Sequence, residues 1–273
     1  MPELPEVETV RRSIAGRVTG ERFKGAHVFF AGCVEGIPAE ELGRRLSGKR
    51  VEGVQRIGKY LVLLVEGGER LAVHLRMTGQ LRLASSSDPG AGPYTRLIFE
   101  FESGLALRFD DMRKFGRVIW FPSEASLSER LKVGVDPLSA EFTPERFQAL
   151  LAGRRRPIKS LLLDQELIGG VGNIYADESL FAAGVAPWRE AGSLAPQEVE
   201  ALWRALRETL REGIAHKGTT LRDYVDGDGR PGAFGERLRA YGREGRPCLH
   251  CGEPVRRVKI AGRSSFHCPR CQK

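Results

Sequence analysis

The tightest constraint on this 273-residue chain lies near its end. Cys248, Cys251, Cys268 and Cys271 form two Cys-x2-Cys pairs separated by sixteen residues. Each pair can bite one ion from a tight turn, and sixteen residues suffice for a hairpin between them. That is the spacing of a four-cysteine zinc site. A disulfide framework would not crowd its cysteines into one tail. One structural Zn2+ is therefore the expected cofactor. The fifth cysteine, Cys33, reads as a small semi-apolar residue on a strand or loop. Residues 241–273 carry eight Arg or Lys against two Glu, and the whole chain has a formal net charge of +8 with a pI near 9.5. That balance suggests a polyanionic partner, most often nucleic acid, though many basic proteins bind nothing of the kind. Zinc ribbons also bind protein, so the metal alone does not name the partner.

The length suits one large or two modest domains, and 41% hydrophobic residues can fill real cores. No apolar run is long enough to span a bilayer, and no charged-then-apolar leader opens the chain. A cytoplasmic protein without a membrane partner is expected, with a monomer as the default. Val7, Val10, Ile14 and Val18 recur at helical spacing and predict a core-facing helix. Runs rich in β-branched and aromatic residues follow: 22–30, 50–65, 70–83, 97–102, 105–110 and 117–121. They favour a β-sandwich or barrel. Ser85–Gly92 reads as a loop. Near residue 125 the texture becomes helical. Thr143-Pro144-Glu145 is a capped helix start. Leu161–Ile168 and Tyr175–Ala183 read as helical. Pro196–Ala215 is amphipathic, with Val199, Leu202, Trp203, Leu206 and Leu210 on one face. Lys217–Tyr241 is a long glycine-bearing segment without periodicity, and such segments are usually functional or disordered.

Two stretches carry chemistry. The chain opens Met1-Pro2-Glu3-Leu4-Pro5-Glu6. Removal of the initiator Met would leave Pro2 with a secondary α-amine. An α-amine has a reference pKa of about 7.7–8.0, so roughly a tenth is unprotonated at neutral pH. Such an amine can attack a sugar aldehyde carbon to give an iminium, with Glu3 beside it as a general acid. Pro-Glu at a helix start is also ordinary capping chemistry. The second stretch, Gly169-Gly170-Val171-Gly172-Asn173, fails as a dinucleotide fingerprint, because a helix precedes it where a strand is needed. It reads either as an anion holder at a helix N-terminus or as a tight helical hairpin.

Together the motifs resemble, nearly end to end, the bacterial formamidopyrimidine-DNA glycosylases, which excise oxidised purines such as 8-oxoguanine. The matching stretches are Pro2–Glu8, Gly58-Lys59-Tyr60, His74–Gly79, Asp111–Gly116, Pro157-Ile158-Lys159, Gly170–Ala176, Gly218-Thr219-Thr220 and the four cysteines. The resemblance implies an α+β multidomain fold. It has a β-sandwich with a leading helix over 1–125, a helix-two-turn-helix domain over 126–240 and a zinc-finger β-hairpin over 241–273. It implies damaged double-stranded DNA as partner and a glycosylase with AP lyase activity. Pro2, Glu3, Glu6, Lys59 and Arg263 would be catalytic: Pro2 as nucleophile, Glu3 as proton donor, Lys59 in β-elimination and Arg263 in δ-elimination. His74, Met77, Tyr94, Arg113, Phe115, Arg154, Lys159, Asn173 and Tyr241 would contact DNA. Met77 and Phe115 would be wedges, and Arg113 would bond to the orphaned base. Thr219, Thr220, Arg222 and Tyr224 would lie on a loop that closes over the lesion. Tyr94 stands where many members have a DNA-contacting histidine. Two alternatives remain: an endonuclease VIII-like enzyme for oxidised pyrimidines, and a non-enzymatic zinc-ribbon DNA-binding protein. Leu4, where the sister group typically has Gly, favours the purine enzyme.

Overall fold

The computed structural model describes residues 1–273. The chain forms two compact units, residues 1–132 with 217–233, and residues 133–216 with 234–273. No helix is long and apolar enough to cross a membrane.

The first unit is a sandwich behind a leading helix. Helix α1 (Leu4–Val18) buries Val7, Val10, Ile14 and Val18, as the spacing predicts. Strands β1 (Phe23–Val28), β7 (Thr95–Phe101), β8 (Leu105–Asp111) and β6 (Gly79–Ser85) form one antiparallel sheet in that order. The second sheet runs β2 (Val34–Glu35), β9 (Arg117–Phe121), β5 (Glu69–His74), β4 (Tyr60–Val65), β3 (Val51–Ile57). In it only the β2–β9 pair is parallel. Leu61, Leu63, Leu71 and Val73 from the second sheet share a core with Leu97, Phe99, Leu107 and Phe109 from the first. Alternation along each strand puts those residues on the facing surfaces. The far face of the second sheet is also buried, since α3 (Glu124–Leu131) lays Leu127 against Val62, Ala72, Ile119 and Phe121. This double burial explains why β4 reads as a continuous apolar run. Helix α2 (Ala39–Leu46) buries Leu42 and Leu46.

The second unit contains α4 (Pro144–Leu151), α5 (Ile158–Leu162), α6 (Asn173–Ala182), α7 (Pro196–Ala215) and the hairpin β10 (Arg256–Ile260) and β11 (Arg263–His267). Helices α6 and α7 approach closely because Gly213 is side-chain-free, and a Cβ there would sit 2.5 Å from the Tyr175 ring. Helix α5 ends earlier than periodicity suggests. Beyond it Asp164 Oδ1 accepts the Glu166 N–H (3.1 Å), and Gln165 donates to the Val171 carbonyl (2.8 Å) and accepts from Gly170 N (3.0 Å). These side chains offer the backbone an alternative to the helix.

Candidate active site and nucleic-acid interface

Pro2 and Glu3 are buried at the head of α1. The Glu3 N–H donates to Glu6 Oε2 (2.8 Å), which closes the first turn. The other Glu6 oxygen accepts the Thr219 N–H (2.7 Å). One buried carboxylate thus ties the residue after Pro2 to segment 217–233. That segment is ordered by further bonds. Tyr224 donates its hydroxyl to Glu6 O (3.2 Å) and Lys217 O (3.1 Å). Gly227 N donates to Ser13 Oγ (2.9 Å), and Leu83 N donates to Gly227 O (2.8 Å). Burial and the Glu6 charge push the Tyr224 hydroxyl far up, so it stays a donor. Gly218 adopts φ +81°, and a Cβ there would lie 2.8 Å from Glu6 Oε1. Only glycine meets both conditions. Thr220 is half-buried, and Arg222 is exposed.

Lys59 lies in the two-residue turn between β3 and β4, after Gly58 at φ +56°. A relay connects that turn to α1. Glu8 accepts from Arg11 and Arg12 (2.8 Å each) and from Arg56 (3.3 Å), and Arg56 also donates to Gly58 O (3.2 Å). Burial alone would raise Glu8. The bonds from Arg11 and Arg12 and the Arg56 charge outweigh it and hold the carboxyl at about 2. His74 ends β5, buried edge-on against Tyr60 at 4.6 Å. Its Nδ1 accepts the Arg76 N–H (3.0 Å), which leaves the proton of the neutral ring on Nε2. Burial, with the charges of Arg76 and Lys59, pushes His74 down to about 3.

Met77, Arg113 and Phe115 come together on two neighbouring turns of this unit. The Arg113 guanidinium lies 4.6 Å from the Phe115 ring centre, and its Nη1 reaches Met77 Sδ at 3.0 Å. Met77 and Phe115 are each 47% exposed. Arg76 (φ 55°) and Lys114 (φ 59°), the residues just before them, hold left-handed backbone that costs non-glycine residues of order 1 kcal/mol or more. Asp111, buried and given no role of its own when its stretch is matched in sequence, fixes both turns. It accepts from Thr78 Oγ1, Gly116 N (2.7 Å) and Arg113 N (3.2 Å). Tyr94 is exposed.

The remaining candidates belong to the second unit. Arg154 is exposed and donates to Leu150 O. Lys159 is fully buried, its ammonium 2.7 Å from Asp177. Asn173 opens α6 and donates to Ser264 O (3.0 Å), with its Oδ1 buried and without a partner. Tyr241 packs edge-on against Phe266 at 5.2 Å, and Arg263 is exposed at the start of β11. Sequence reasoning missed Glu178, a fully buried acid on α6 that accepts three consecutive N–H groups, from Arg239 (2.9 Å), Ala240 (2.9 Å) and Tyr241 (2.8 Å). Burial raises its pKa against those bonds.

The four tail cysteines converge. All four sulfurs lie within 4.8 Å of one another, with Cys248–Cys271 at 3.9 Å and Cys251–Cys268 at 3.5 Å. A tetrahedral Zn–S shell of about 2.3 Å needs S···S spacings of about 3.8 Å. The His250 and Cys271 N–H groups each point at a sulfur at 3.4 Å, as thiolates require. Without a cation, burial and the neighbouring sulfurs push the Cys271 thiol up to about 12. The cluster thus fits one structural zinc ion. Cys33 stands apart, buried, its thiol raised by burial to about 11.

Comparison with known proteins agrees with this layout. Residues 1–118 match the model of the formamidopyrimidine-DNA glycosylase N-terminal domain, 133–225 its H2TH domain, and 245–273 the zinc finger found in FPG and IleRS. The formamidopyrimidine-DNA glycosylase of Pelotomaculum thermopropionicum is 44% identical, with 100% of this chain and 99% of that protein aligned. The crystal structure of the MutM (Fpg) protein from Thermus thermophilus superposes with a TM-score of 0.89 at 42% identity, covering 99% and 98% of the two chains. A Lactococcus lactis Fpg mutant in complex with a Fapy-dG-containing DNA superposes at 0.92 and 34% identity over the full length of both. The wild-type L. lactis protein, in complex with an oxidised pyrimidine-containing DNA, gives 0.91 at the same identity, again over both full lengths. With its sandwich, its H2TH segment and its cysteine finger each matched in order, the chain belongs to the formamidopyrimidine-DNA glycosylase family.

Proposed function

We propose that this chain is a bifunctional DNA glycosylase and AP lyase that removes oxidised purines from double-stranded DNA in the bacterial cytoplasm. The observation that carries the reading is the buried head of α1. There Pro2 and Glu3 sit at a turn closed by Glu6, and Glu6 also holds segment 217–233. After loss of Met1, the Pro2 nitrogen would attack C1′ of the damaged nucleoside. The base leaves with the bonding electrons, and the amine and sugar form a Schiff base. Glu3 would give a proton to the sugar as its ring opens. β-Elimination, assisted by Lys59, breaks the C3′–O bond. δ-Elimination, assisted by Arg263, then breaks the C5′–O bond and leaves a gap flanked by phosphates. Zinc, when bound, supplies structure and no chemistry.

A base within a duplex is out of reach, so it must be flipped at a cost of a few kcal/mol. Met77 and Phe115 have the exposure that a wedge needs, and Arg113 lies between them to meet the widowed base. Neutral His74 would offer Nε2–H to a phosphate. Tyr94, Arg154, Asn173 and Tyr241 would contribute further backbone contacts. Thr219, Thr220, Arg222 and Tyr224 would line the loop over the lesion.

Borohydride trapping tests the reading. A duplex with 8-oxoguanine opposite cytosine and one with an oxidised pyrimidine are incubated with intact protein and with Pro2→Gly. The adduct is then mapped by mass spectrometry. An adduct at Pro2 with 8-oxoguanine preferred is expected. A pyrimidine preference would move the chain to the endonuclease VIII-like specificity. No adduct from protein shown to lack Met1 would refute the amine mechanism.

A further inference from the structure

The exposed Arg263 side chain projects from a hairpin whose position is set from beneath by buried charge. Arg263 closes a two-residue turn, pairing with Ile260 across Ala261 (φ 45°) and Gly262 (φ 79°). Two positive φ values in a row give the hairpin turn that matches strand twist. The next three residues of β11 are each held by a side chain from the helices. Ser264 O accepts Lys159 Nζ (2.8 Å) and Asn173 Nδ2 (3.0 Å). Ser265 Oγ donates to Asp177 Oδ1 (3.0 Å), and Phe266 N donates to Asp177 Oδ2 (3.0 Å). Lys159 and Asp177 pair at 2.7 Å, both with no exposure at all.

Stability is a weak account of this pair. Buried ion pairs often lose as much to desolvation as they gain from attraction, and apolar replacements can be neutral or better. Direction is what the pair supplies. Its bonds to Ser264, Ser265 and Phe266 reach the three consecutive residues immediately after Arg263, so a shift of the pair shifts the strand that carries the guanidinium. A fully buried ammonium spent on a carboxylate and a carbonyl also has no path to a phosphate in this arrangement.

We propose that Lys159 and Asp177 are positioning residues that aim Arg263 at the strand-cleavage step, and that Lys159 acts through the hairpin without touching DNA. This rests on the reading of Arg263 as the group that assists δ-elimination, and the test separates the two. Zinc-loaded full-length protein is given a duplex with a single abasic site, and δ- and β-elimination products are resolved on a gel. Borohydride trapping is measured in parallel. Arg263→Gln should lower the δ:β ratio by tenfold or more. Asp177→Asn should lower it by about tenfold, since misplacing a catalytic group by 1 Å can cost up to about a hundredfold. Trapping by Asp177→Asn should stay within twofold of the parent, with one zinc per chain. The double variant should fall no lower than Arg263→Gln alone, which a merely structural defect would not produce. Ser265→Ala removes one bond and keeps the ion pair. It should lower the ratio severalfold, and it serves if Asp177→Asn does not fold. Parent-like ratios in both variants, or a double variant well below Arg263→Gln, would overturn the proposal. A parent-like Arg263→Gln would instead overturn the reading of Arg263 itself.

Discussion

His74 shows how one residue's surroundings choose its chemistry. A histidine near a phosphate is usually imagined as a cation. Here Nδ1 is an acceptor for the Arg76 N–H, and burial with nearby positive charge holds the ring neutral down to about 3. The sign for stability follows. Unfolded, the ring takes a proton near 6.5. Between about 6.5 and 3 the unfolded chain therefore binds more protons, and acidification through that window costs stability. The slope from this single site is at most about 1.4 kcal/mol per pH unit. Denaturant unfolding of the parent between pH 7 and 5 should show that loss, and His74→Gln should show a shallower one. Identical slopes would mean that His74 is not held neutral. Glu8 adds a loss of the same sign at lower pH. Its folded value of about 2 makes its contribution present above about 4.5, to be lost as pH falls from there.

At the scale of elements, the finger hairpin is the part with least core of its own. Cys248, Val255 and Cys268 pack against Phe181 and Ala240, and little else apolar is buried there. A metal must therefore supply much of its folding, since binding and folding of such sites are coupled. Cys268→Ser should abolish zinc retention by metal analysis and expose the tail to proteolysis. It should weaken binding to an abasic-site duplex at least about tenfold, the scale of one lost charge-assisted hydrogen bond. Purified parent without zinc would contradict this. The finger was legible because its signal is local spacing, and so were α1 and α7, whose periodicity meets one continuous core face. Asp111, Asp177 and Glu178 were not. Asp177 and Glu178 hold backbone groups about sixty to ninety positions away, and no local pattern encodes such a partner. The order in segment 217–233 was hidden for the same reason, because Glu6, Ser13 and Leu83 supply it. The resemblance points to Lys159, but only the fold shows how deeply it lies.

For the whole molecule, net charge is a poor guide to how DNA is held. Many of the 43 Arg and Lys are paired with acids, such as Arg56 with Glu8 and Arg189 with Glu198, and the +8 excess does not say which of the others meet phosphate. The salt dependence of binding counts phosphates neutralised, at about −0.9 in log K per log salt for each. Among the proposed backbone contacts, His74, Tyr94, Asn173 and Tyr241 are neutral donors, and the buried Lys159 is engaged with Asp177. That leaves Arg154 and Arg263 as exposed cations, with Lys59, itself buried at its turn, as the third. Three cations give a slope of about −2.7, or roughly a fortyfold loss of affinity between 50 and 200 mM salt. Arg263→Gln should flatten the slope by about 0.9. Because His74 is neutral across the range, the slope should also be the same at pH 6 and pH 8. Fluorescence anisotropy on an abasic-site duplex measures all three. A slope of about −7, tracking the net charge, would show that diffuse basic surface dominates. A slope that steepens by about 0.9 at pH 6 would show that His74 becomes charged on DNA.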